Sequence, residues 1–68
     1  MHVGSVEWIY VNSSCIVAIG YDGRNLGVEF VGGRVYIHPG VPAGVHRAFV
    51  NADSHGRYYT KNIRGRYR

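Results

Sequence analysis

Two different periods of apolar and polar residues run along this chain. Up to His38 the pattern is that of strands, and from Val41 onward it is that of helices. Val6 to Val11 mixes β-branched and aromatic residues and predicts a first strand. Asn12-Ser13-Ser14 predicts a turn. Cys15 to Tyr21 is a nearly continuous apolar run, which predicts a second strand that needs cover on both faces. Asp22-Gly23-Arg24-Asn25 carries hairpin-turn chemistry. Leu26 to Val31 alternates, with Leu26, Val28 and Phe30 on one face. Gly32-Gly33 reads as a two-residue hairpin turn and Arg34 to His38 as the return strand. That turn pairs Phe30 with Val35 and Val28 with Ile37, all four on the core face. It leaves Glu29 with Tyr36, and Val31 with Arg34, on the opposite face. A slip of one residue exchanges the faces.

Pro39-Gly40 breaks the sheet, and Pro42 suits the first turn of a helix. Val41, Val45, Ala48, Phe49 and Ala52 then recur with helical spacing, while His46, Arg47 and Asn51 fall off that stripe. A second helix is expected to start at Ser54, whose hydroxyl can cap it, and to end or bend at Gly65. On it Arg57, Lys61 and Arg64 share a basic stripe, with Tyr59 and Ile63 on another side. The expected fold is α+β: an antiparallel β-meander of about four strands followed by two short α-helices packed on one face. The expected core is Val17 or Ile19, with Val28, Phe30, Val35, Val45, Phe49 and Ile63.

Sixty-eight residues make a single domain, 1–68, with a basic tail at 65–68. A domain this small buries only ~60% of its unfolded surface, so self-association, as a homodimer or higher homo-oligomer, would help its core. Eight Lys and Arg stand against four Asp and Glu. Residues 55–68 hold five of the cations and no acid, which favours a phosphate-bearing or otherwise acidic partner. Cys15 is the only cysteine, so an internal disulfide is excluded and a reduced, cytoplasmic setting is expected. No apolar run approaches a membrane span.

An ordered set of residues resembles one known family. It runs Ser14-x-Ile16-x-x-Ile19-Gly20-Tyr21-Asp22, then Leu26-x-Val28-x-Phe30-x-x-Gly33-x-x-Tyr36. It continues with Val41-Pro42, Ala52-x-Ser54-x-Gly56-x-Tyr58-Tyr59 and Ile63-Arg64. Together these resemble the KTSC domain, a small module named for its place at the C-terminus of some lysyl-tRNA synthetases. The family also occurs as stand-alone bacterial and phage proteins. The resemblance spans about Ser13 to Tyr67. The sequence departs from the family pattern at His38, where an aromatic is usual, and at Thr60, where asparagine is expected. The family's company implies a nucleotide or RNA partner by analogy. A phage-encoded copy would then act as a sponge that sequesters a nucleotide immune signal.

Catalysis and metal binding find little support. Asp53, Ser54 and His55 are sequence neighbours, which is not triad geometry. Cys15 in an apolar strand reads as inert core. His2, His38, His46 and His55 lack ligand spacing, and His46 reads as surface. No enzyme, metal or cofactor is expected. Binding fits better, because arginines match phosphate and tyrosines offer flat faces to bases. The expected ligand-binding residues are Ser54, Gly56, Arg57, Tyr58, Lys61, Arg64 and Tyr36. Ser54 and free N–H groups would meet a phosphate, and Gly56 would let it come close. Arg57 and Arg64 would clamp it, Tyr36 or Tyr58 would stack on a base, and Lys61 would attract it. Tyr59 is assigned to packing. The alternative is a protein–protein interaction module that uses an exposed apolar sheet face and Trp8.

Overall fold

The computed structural model describes residues 6–67, so His2 and Arg68 lie outside the described residues. Strands β1 (Glu7–Tyr10), β2 (Ile16–Tyr21), β3 (Leu26–Phe30) and β4 (Val35–His38) come first. Helices α1 (Ala43–Val50) and α2 (His55–Tyr58) follow, and α2 runs on into a π-helical segment, Tyr59–Ile63. The strands form one antiparallel sheet in the order β1-β2-β3-β4. The α+β meander expected from the pattern is therefore present.

The last hairpin differs from expectation by one residue. Val28 pairs with Tyr36 and Leu26 with His38, not Val28 with Ile37. The Phe30 N–H donates to the Arg34 carbonyl at 2.8 Å, so three residues, Val31, Gly32 and Gly33, make the loop. The Val31 N–H is directed instead to the residue just before β2, donating to the Cys15 carbonyl at 2.9 Å. Gly32 and Gly33 have φ of 106° and 95°, which the loop needs and other residues resist. The slip turns Val35 and Ile37 outward, 48% and 60% exposed, and turns Tyr36 and His38 to the helix side.

A second irregularity serves the core. The β2–β3 register shifts between Ile16 and Ala18. The bulge at Val17 puts Ile16 on the same face as Ile19, where both are fully buried. The core joins Ile16, Ile19, Leu26 and Val28 of the sheet to Val41, Phe49, Tyr59 and Ile63. Ile19, Val28, Phe49 and Ile63 were expected there. Phe30 and Val45 sit half-buried at its margin, Val35 is outside it, and Ala48 is exposed.

The other face of the sheet carries Trp8, Tyr10, Val35 and Ile37, with no helix over it among the described residues. Trp8 provides part of the cover that the apolar β2 needs. Trp8, Gly20, Gly27 and Ile37 form one cross-strand row. A Cβ at Gly20 would lie 2.7 Å from the indole and one at Gly27 2.8 Å from it. The ring thus lies on bare backbone at both positions.

The helices are pinned by polar contacts. The Val41 N–H donates to the Arg24 carbonyl, and the Tyr21 hydroxyl donates to the Val41 carbonyl. His46, expected at the surface, is half-buried and stacks on Tyr21 with centroids 4.3 Å apart. Tyr21 comes from the sheet, so helical spacing alone could not reveal this contact. Burial, aided by Arg47 and opposed by Glu7, lowers the His46 pKa from its ordinary 6.5.

Candidate functional site: an aromatic groove with one arginine

The observed register of β4 brings Tyr36 and His38 under the second helix. His38 is 8% exposed. Its Nδ1 lies 2.6 Å from the Tyr67 carbonyl and its Nε2 3.0 Å from the Tyr59 hydroxyl. A carbonyl oxygen only accepts, so Nδ1 carries a hydrogen. In the neutral ring Nε2 then accepts from the Tyr59 hydroxyl. Burial raises the Tyr59 pKa above its ordinary 10.0, with Arg64 opposing, so the phenol keeps its proton to donate. One histidine thereby ties β4 to the π-helical segment and to the chain beyond it.

Phe30 meets Tyr36 and Tyr59 edge-on, with centroids 5.7 and 5.1 Å apart. These rings and His38 line an open groove of roughly 500 Å3. Cys15, Gly56 and Thr60 also line it, as do Arg64, Gly65 and Tyr67. Among the described residues, none of those lining the groove is acidic. Among the described residues it combines flat apolar rings with a single guanidinium.

The second helix delivers that guanidinium by changing its winding. Ser54 caps α2 as expected, its hydroxyl accepting from the Arg57 N–H at 3.3 Å. The Thr60 hydroxyl donates back to the Gly56 carbonyl at 3.0 Å and competes there with the α-helical backbone bond. Beyond that point the Arg64 N–H reaches the Tyr59 carbonyl, five residues back, at 2.8 Å. A turn of this kind holds one residue more than an α-helical turn. Arg64 leaves the stripe and lines the groove beside Tyr36, whereas Arg57 and Lys61 line other depressions. Gly65, at φ 84°, then ends the helix, as expected.

The seven expected ligand-binding residues thus fall into two groups. Tyr36 and Arg64 meet in the groove, with Gly56 on its lining. Ser54, Arg57, Tyr58 and Lys61 gather around a shallower depression that also includes Asp53. Arg57 and Arg64 do not line a common depression, because the π turn separates them. Tyr58 is half-buried and stacks on Phe49 at 5.5 Å, which occupies one of its faces. Gly56 has a packing reason to lack a side chain, since a Cβ there would lie 2.8 Å from the Cys15 Sγ. Cys15 itself is exposed ahead of β2, not core.

The KTSC domain pattern matches residues 12–67. This chain belongs to the KTSC domain family. A crystal structure of a KTSC domain protein from Yersinia pestis is 35% identical, with a TM-score of 0.88 over 94% of this chain and 93% of that one. No curated protein matches the chain. His38 and Thr60, the positions expected from the sequence to differ from the family pattern, both line the groove.

Sequence reasoning missed Phe30, His38, Tyr59, Thr60 and Tyr67 as groove residues. A three-residue loop through Val31-Gly32-Gly33 was the available signal, since that register turns Tyr36 and His38 inward. Among the described residues, no group of three or more His, Cys, Asp or Glu is placed to hold a metal ion. No helix among them is long and apolar enough to cross a membrane.

Proposed function

We propose that this KTSC domain is a non-enzymatic binding module for an anionic, nucleotide-type ligand held in the groove. One observation carries this reading: Arg64 opens onto a groove lined by Phe30, Tyr36 and Tyr59, with no acid on its described lining. A base would rest against Tyr36, which is 45% exposed and already held edge-on by Phe30. The phosphate would take the guanidinium fork of Arg64. Calorimetric titration with deoxyadenosine 5′-monophosphate tests the reading. Arg64→Ala is expected to abolish binding with the fold intact, and Tyr36→Ala to weaken it by ~1–3 kcal/mol. Unchanged affinity in both variants would reject the groove as the site.

A second reading is favoured by the sheet face that no helix among the described residues covers. Trp8, Tyr10, Val35 and Ile37 are 40–77% exposed there, and such a patch suits docking by another protein. Salt separates the two readings, because phosphate binding weakens steeply with salt and apolar docking does not.

A further inference from the structure

The groove does not stop at its own rim. Cys15, Gly56 and Thr60 line it and also line a neighbouring depression whose remaining residues are Arg57 and Lys61. The two hollows therefore share a shelf. That shelf is low and uncharged: Gly56 has no side chain, and the Thr60 hydroxyl is turned back onto the Gly56 carbonyl. On one side stand the rings and Arg64, on the other two exposed cations one helical turn apart. Farther on, the next depression adds Asp53 to Arg57 and Lys61, which disfavours a further phosphate.

We infer that the ligand carries two separated phosphates, as a dinucleotide or the end of a single strand does. Its first nucleotide occupies the groove, its backbone crosses the Gly56–Thr60 shelf, and its second phosphate meets Arg57 and Lys61. This inference rests on the groove reading above and extends it to a second subsite that the π turn creates by parting Arg64 from the other two cations.

The test compares deoxyadenosine 5′-monophosphate, the 5′-phosphorylated deoxyadenylate dinucleotide and a longer oligodeoxyadenylate. Wild type is expected to bind the dinucleotide roughly tenfold more tightly than the monophosphate, with a steeper salt dependence. The double variant Arg57→Ala/Lys61→Ala should keep the monophosphate affinity and lose the tenfold gain. Both side chains are exposed, so the fold should survive, which circular dichroism checks. If the monophosphate binds through Arg64 but the dinucleotide gains nothing, the second subsite is wrong and the groove reading stands. A gain that persists in the double variant also overturns the subsite. A longer strand that binds far more tightly than the dinucleotide in wild type and double variant alike places the contacts elsewhere and overturns it too. If no nucleotide binds at all, both readings fall.

Discussion

Single residues here act through what they lie against. The Gly20 and Gly27 backbones are the platform for the Trp8 indole, within 2.8 Å of where a Cβ would stand. Gly20→Ala is therefore expected to lift the ring and to cost about 1–3 kcal/mol. Tryptophan fluorescence should shift to the red, and in a Trp8→Ala background the same substitution should cost much less. His46 makes a prediction about pH. Its folded pKa lies below the ordinary 6.5, so the unfolded chain takes up its proton more readily. The stability it contributes is fully present above pH 6.5 and is lost as pH falls through the lower folded value. Denaturant midpoints measured from neutral pH downward should decline in wild type, and less so in His46→Gln.

At the scale of elements, Phe49 is the one fully buried residue that α1 sends into the core. It contacts Tyr58 and Tyr59 as well as the sheet cluster. Phe49→Ala should cost about 3–5 kcal/mol, enough to unfold most of the population of a domain this small. Thermal melts followed by circular dichroism would show it, and a melt within a few degrees of wild type would contradict it. The π-helical segment differs in kind, because it decides direction more than attachment. It keeps Tyr59 and Ile63 in the core while turning Arg64 out of line with Arg57 and Lys61.

For the whole molecule, the question is what covers the second face of the sheet. Helices occupy one side, and Trp8, Tyr10, Val35 and Ile37 remain on the other. We propose that two copies meet there, since a two-fold contact buries the same patch twice. Light scattering should show a dimer that Tyr10→Glu or Ile37→Glu returns to monomer without loss of helix content. A monomer across micromolar to millimolar concentrations would end this proposal. Ligand binding in the groove should be unaffected by Tyr10→Glu, because Tyr10 does not line the groove, whereas Ile37 does.

The division between sequence and tertiary structure falls along local and non-local interactions. Strand and helix periods, the Ser54 cap and the Gly65 stop depend on neighbours within a few residues, and all were legible. So was the family, whose ordered residues span most of the chain. Three features were decided only by the folded molecule. The β4 register depends on the Val31 N–H being engaged by Cys15, sixteen residues back in the chain. The inward turn of His38 depends on acceptance by Tyr67 and donation from Tyr59. The placing of Arg64 depends on a helix that widens by one residue, which an ideal helical spacing cannot anticipate. In β4 a one-residue shift only exchanges Val35 and Ile37 for Tyr36 and His38, residues that can all pack, and a widened helical turn still keeps Tyr59 and Ile63 inside, so local signals barely discriminate either. The aromatic and polar contacts across the core do, and they assemble the groove.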